Sequence, residues 1–320
     1  MPLIGTFGAG AGRAFGLTAG GGFPFNVQYL VIAGGGAGGL QAGGGAGAGG
    51  YRLNTGETSG GSSPSEPALE VITGEEYSIT IGAGGVSYGP APSYPITVPP
   101  TPGTASVFAS ISSLPGGHGG GYSEAIVDAG NAPGTVGSSA ARGATGSTYY
   151  DVPGTQGYRG GNHGSHSGPA FGSGGGGGAG AVGTDGGSSC GVGGNGLSSS
   201  ITGSSVTRGG GGGGGGRVAA AGGSGGNGGG GPGTNSSPST ASPGTVNTGG
   251  GGGSEGYQQA SHGTGGSGGS GFIALKVPTA VTASFSPGVT SSLSTAVPGY
   301  RIYSVTATST GSEKVTFSKA

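Results

Sequence analysis

The chain has 320 residues, of which 92 are Gly and 20 are Pro, and its 10 basic and 11 acidic side chains leave a formal net charge of -1. Gly and Pro together fill about a third of it, against roughly one eighth in an ordinary globular protein, which excludes a conventional side-chain core along its whole length. The few basic residues of the Gly-rich middle, such as Arg208 and Arg217, are scattered, which excludes the clustered cations that phosphate backbones require.

No stretch approaches the ~20 apolar residues of a membrane span. Met1-Pro2-Leu3-Ile4-Gly5 has neither a basic nor an apolar segment of the secretory kind, so synthesis in the cytoplasm is expected. The lone Cys190 cannot form an intramolecular disulfide.

In chain order, Val27–Ile32 reads as a strand. Leu69–Ile72 and Glu76–Ile81 read as two more, and the intervening Thr73-Gly74-Glu75 predicts a hairpin between them. Pro90, Pro92, Pro95, Pro99, Pro100 and Pro102 then forbid a helix and predict an extended loop. From about Gly116 to Gly271 the sequence is low in complexity, with unbroken glycine runs at 174–178, 209–216, 228–231 and 249–253 separated by Asn, Ser, Thr and Pro clusters. That segmentation reads as rods joined by turns. Beyond it, Phe272–Val277 reads as a strand, and Tyr300–Thr308 with Glu313–Phe317 as a second hairpin.

A polyproline-type backbone makes no internal hydrogen bonds, so packed rods satisfy one another, and only Gly fits where they crowd. The expected fold is therefore mostly irregular, a polyglycine II helical bundle with flanking β segments and essentially no α-helix. Gly209, Gly210, Gly211, Gly212, Gly213, Gly214, Gly215 and Gly216 are assigned to its centre. A flexible Gly/Ser spacer is the competing expectation, because ordering glycine costs the most backbone entropy. Three segments follow: 1–26 as an attachment or start segment, 27–277 as the glycine-rich domain with the hairpin near 69–81, and 278–320 as a β segment.

Three motifs carry a family resemblance. They are Tyr29-Leu30-Val31-Ile32-Ala33-Gly34-Gly35-Gly36-Ala37-Gly38-Gly39, then Tyr77-Ser78-Ile79-Thr80-Ile81-Gly82-Ala83-Gly84-Gly85, and the closing Gly268-Gly269-Ser270-Gly271-Phe272-Ile273-Ala274-Leu275. Over about Val27 to Val277 the chain resembles glycine-rich tail-fibre and tip adhesin proteins of tailed bacteriophages, including cyanophages. The resemblance implies a polyglycine II helix sandwich in a virion, with loops that bind a host surface glycan or outer-membrane protein and a flank that joins other virion proteins. A non-receptor spacer in the neck, baseplate or a capsid appendage is the alternative.

The chemical motifs point away from catalysis. Gly34, Gly36 and Gly39 have dinucleotide-fold spacing with Glu57 about 20 residues on, yet Leu40–Gly50 is too rich in glycine to form the helix that fold needs. His163 and His166 read as solvated loop residues rather than metal ligands, and the dispersed acids form no evident glycosidase pair. No catalytic residue, metal or cofactor is expected. The 12 Tyr residues are the remaining resource, since their flat faces and hydroxyls suit recognition. The candidate receptor-binding residues are Tyr149, Tyr150, Asp151, Tyr158, Arg159 and Asn162, with Tyr88 and Tyr94 in the Pro-rich loop.

Overall fold

A computed structural model describes residues 22–87, 100–121, 137–141, 156–163, 171–217, 221–235, 239–257 and 263–320. In chain order the strands are β1 (Pro24–Ile32), β2 (Tyr51–Leu53), β3 (Leu69–Ile72), β4 (Glu76–Thr80), β5 (Ser106–Phe108), β6 (Ile111–Ser113), β7 (Phe171–Gly172) and β8 (Leu197–Ser199). They continue as β9 (Val206–Arg208), β10 (Gly216–Arg217), β11 (Phe272–Pro278), β12 (Val281–Phe285), β13 (Val289–Ser294), β14 (Tyr300–Thr308) and β15 (Lys314–Lys319). Among the described residues the one helical element is a 3-10 turn at Gly60–Ser62.

A six-stranded sheet has the order β13-β14-β11-β1-β2, with β3 paired to the start of β1, and a five-stranded sheet has the order β12-β15-β4-β5-β6. All pairings between these strands are antiparallel. Period-two alternation decides which side chains face which way. Val27, Tyr29 and Val31 of β1 and Ile273, Leu275 and Val277 of β11 meet Ile79, Phe108, Val315 and Phe317 of the second sheet in a buried core. The opposite face of the first sheet buries Leu30, Ile32, Phe272 and Ala274 with Tyr51, Leu53, Ala179 and Ile201. Each such side chain contributes about 1.5–3 kcal/mol through burial.

Both expected hairpins have strands where the sequence places them, but different partners. β3 pairs with β1, while β4 pairs with β15 and β5. Likewise β14 pairs with β11 and β13, and β15 with β12 and β4. The short turns between them are corners at which the chain changes sheet, which lets each strand bury one face in the shared core.

The polyglycine II bundle expected as the organising fold is corrected to an antiparallel β architecture. Strands make up 30% of the described residues and helix 1%. The physical reason is that β1 and β11, at opposite ends of the glycine-rich region, pair with each other over Gln28–Ile32 and Phe272–Lys276. The apolar side chains of these and the later strands close one sandwich, whereas the glycine runs carry no side chains with which to nucleate a core.

The runs extend from the sandwich as backbone outside regular strands, close-packed against one another. Residues 33–39 run out and 43–50 return, linked by Ala33 N–H to Gly50 O at 3.2 Å, Gly36 N–H to Gly47 O at 3.0 Å and Gly39 N–H to Gly44 O at 3.1 Å. In the run 209–216, Gly210, Gly213 and Gly216 donate to the Gly228, Gly231 and Thr234 carbonyls in that order. Gly211 and Gly214 donate to Gly194 and Gly191, and Gly212 and Gly215 to Ala46 and Gly43. Successive amides thus serve three neighbouring runs in turn, which meets the demand that buried N–H groups be paired. All eight of these glycines are buried.

Candidate functional site

The runs reverse at an end remote from the two large sheets, and their register shows which residues meet there. Gly216 pairs with Gly172 and Arg217 with Phe171, while Arg217 also forms a parallel bridge with Tyr257, as does Thr240 with Thr264. Gly256 N–H donates to Thr234 Oγ1 at 2.9 Å. The reversal after Leu40 passes through Gln41 and Ala42, both non-glycine residues at positive φ, 54° and 53°. That conformation is uncommon for L-residues and carries strain. Gln41 is held there by its N–H bond to Glu255 Oε2 at 3.3 Å.

Arg217 forms the centre of the distal face. Its Cζ lies 5.6 Å from the Phe171 ring centroid and 5.4 Å from that of Tyr257, within the range of favourable cation–π attraction. Phe171 is buried with Ala42, and Tyr257 packs against them half-buried. Glu255 is only 1% exposed, and its carboxylate accepts from the backbone N–H groups of Gln41 and Gly263. Its negative charge is therefore bonded to backbone rather than to Arg217.

The other polar clusters bond mostly within themselves, with Tyr51 Oη and Arg208 Nη1 buried without a hydrogen-bond partner among the described residues. A recess of about 250 Å³ is lined by Tyr51, Arg52, Ser59, Gly60, Ser63, Glu66 and Gln156. In it Arg52 Nε and Nη2 reach Glu66 at 2.6 Å each, Arg52 Nη1 reaches Ser112 O at 3.0 Å, and the Tyr29 hydroxyl donates to Glu66 at 2.9 Å. Burial, reinforced by Glu66, raises the Tyr29 hydroxyl well above its ordinary pKa. This is a clamp tying β1 and β2 to the 59–66 loop. Arg208 is 9% exposed and stacked 4.1 Å from the Phe272 centroid; burial lowers its pKa while the neighbouring Tyr51 hydroxyl raises it. Glu57 accepts from Ser199 Oγ, Ser200 N–H, Ser200 Oγ and Thr55 Oγ1, pinning the end of β8.

Of the receptor-binding residues inferred from sequence, Tyr158, Arg159 and Asn162 are described and lie along one run. The Tyr158 hydroxyl bonds Ser62 Oγ, near the sandwich. The Arg159 carbonyl accepts from Gly183 N–H at 3.0 Å, and Asn162 N–H donates to Asp185 Oδ1 at 2.7 Å, further along the same run. Tyr88, Tyr94, Tyr149, Tyr150 and Asp151 lie outside the described residues, as does His166. Among the described residues no group of three or more His, Cys, Asp or Glu could hold a metal. The Gly34–Gly39 motif faces backbone; a Cβ on Gly36 would stand 2.0 Å from Gly117 O, which leaves no cradle for a pyrophosphate.

Sequence reading missed Phe171, Arg217, Tyr257 and Glu255. Their signal was positional, since Phe171 opens one glycine run and Arg217 and Tyr257 close two others. Aligning the runs by their ends would have set these three side chains level.

The structure defines a β-sandwich protein whose strand connections are close-packed glycine runs with a polar and aromatic distal face. The chain belongs to the glycine-rich domain family, whose model matches residues 22–278. Comparison with curated proteins gave no match.

Proposed function

We propose that the chain is a phage virion structural protein, a tail-fibre or tip adhesin that binds a host surface glycan or outer-membrane protein and acts without catalysis. The supporting observation is that Phe171, Arg217 and Tyr257, each at the end of a different glycine run, are brought together away from the two large sheets. A scaffold fixed by backbone hydrogen bonds can hold several short connections in constant relation, which is how recognition loops on rigid frameworks work. The resemblance of the three glycine motifs to phage adhesins supports the same reading. The sandwich end is then the flank that joins other virion proteins. No helix among the described residues is long and apolar enough to cross a membrane.

The test uses virions carrying the double variant Arg217→Ser/Tyr257→Ser. Immunoblotting should find the protein in the particle at normal level, while adsorption to host cells slows about tenfold or more, the loss expected from removing central aromatic and arginine contacts. Normal adsorption with normal incorporation would favour the spacer role in the neck, baseplate or a capsid appendage.

A further inference from the structure

We infer that the distal face carries an oxyanion-binding subsite built on Arg217, suited to a saccharide bearing a carboxylate or phosphate; the inference rests on the recognition reading and specifies its ligand. Backbone register sets the geometry. Arg217 stands opposite Phe171 in one pairing and beside Tyr257 in another, so the three side chains form a row across three adjacent runs. Phe171 is 2% exposed and anchors one side. Arg217 and Tyr257 are half-buried and reach solvent.

The guanidinium is positioned but uncommitted. Its neighbours are the two rings, at 5.6 and 5.4 Å, and among the described residues it makes neither an ion pair nor a side-chain hydrogen bond. Two half-buried arginines, Arg52 and Arg301, differ. Arg52 is bonded bidentately to Glu66, and Arg301 Nη1 is bonded to the Thr279 and Val281 carbonyls at 2.8 and 3.0 Å. Glu255, two residues before Tyr257, is held by the backbone N–H groups of Gln41 and Gly263 and, among the described residues, forms no ion pair with Arg217.

The two rings hold the guanidinium at cation–π distance and take none of its N–H donors. A fork of parallel N–H groups matches a carboxylate or phosphate bidentately, which an ammonium does not. The Tyr257 ring beside it offers an apolar face against which a pyranose can pack. A strictly neutral glycan would leave the fork unused.

The experiment follows the Arg217 Nε–H resonance of the full-length protein by NMR, assigned by its disappearance in Arg217→Lys. The probes are D-glucuronate, D-glucose 6-phosphate and D-glucose, added at constant ionic strength. Saturable movement with either anion and none with D-glucose is expected, and the stronger of the two anion responses identifies the carboxylate or phosphate source. Arg217→Lys keeps the charge and should bind the preferred anion about tenfold or more weakly, measured on the Tyr257 ring resonances. No saturable movement with either anion overturns the subsite, as does an equal response to D-glucose or undiminished binding by Arg217→Lys. Slow adsorption of the Arg217→Ser/Tyr257→Ser virions alongside an unmoved Arg217 resonance would overturn the oxyanion subsite while sparing the recognition reading.

Discussion

Val31 stands directly opposite Ile273 in the antiparallel pair of β1 and β11. Both are fully buried in the core that the later strands complete. The strand before the glycine-rich region is thus joined to the strand after it, and the intervening runs are held between fixed ends.

That closure makes the C-terminal strands part of the core. Removing residues 279–320 strips β12 to β15 and takes Val281, Tyr303, Val305, Val315 and Phe317 from around Val31 and Ile273. The truncated protein should be insoluble or melt without cooperativity. A sharp, parent-like transition by circular dichroism would show that the glycine-rich region stands without them.

Within the same core, Ile273→Ala should cost about 2–5 kcal/mol, the usual range for emptying a buried aliphatic site. Leu293, 54% exposed on the edge strand β13, should change stability by no more than about 0.5 kcal/mol when replaced by Ala. Urea denaturation of the two variants decides this, and similar losses would contradict the assigned burial.

Two carboxylates predict weakening in acid. For Glu57, burial raises the pKa, but hydrogen bonds from Ser199, Ser200 and Thr55 outweigh it and the net shift is downward. For Glu313, bonds from Ser286 and Ser309 lower the pKa against a smaller desolvation effect, with Thr310 and Gly288 adding to the lowering. A folded pKa below the unfolded one means stability that is fully present above the unfolded value, about 4.3 for Glu. That stability is lost as pH falls through the lower folded value. The melting temperature should therefore drop below about pH 4, and Glu57→Gln should be less stable at neutral pH with a shallower acid decline. An acid decline as steep as the parent's would remove Glu57 from this role.

Cys190 is buried, and that burial raises its thiol pKa to about 11, against the lowering effect of backbone hydrogen bonds from Gly223 and Ser173. Because the thiolate is the reactive form, the native protein at pH 8 should react with an aromatic disulfide reagent far more slowly than in denaturant. Equal rates in the two conditions would place Cys190 at an open surface.

The legible part of the fold was local. Short apolar runs marked Val27–Ile32, Leu69–Ile72 and Phe272–Val277 as strands, and β1 and β11 are apolar along most of their length because both their faces are buried. Partners were not legible, since β3 and β4 are separated by a hairpin-length turn and yet enter different sheets. Only the shared burial of Val71, Ile79 and Phe317 shows why, and that burial is a property of the assembled core. The distal face was hidden for a related reason. Phe171, Arg217 and Tyr257 are far apart in sequence, and the glycines between them carry no side-chain pattern from which their register could be read.

The most direct test of the packing compares two Gly→Ala variants by thermal and urea denaturation. A Cβ at Gly212 would lie 1.9 Å from the carbonyl oxygen of Gly252, whereas one at Gly187 would meet nothing within 4 Å. Gly212 also donates to Ala46 O and accepts from Gly176 N–H, both at 2.8 Å, so adjacent backbone must move and buried bonds must break. Gly212→Ala should lose at least about 3 kcal/mol, and Gly187→Ala should stay within about 0.5 kcal/mol of the parent. Matching denaturation midpoints for Gly212→Ala, Gly187→Ala and the parent would contradict the close-packed glycine runs on which this account depends.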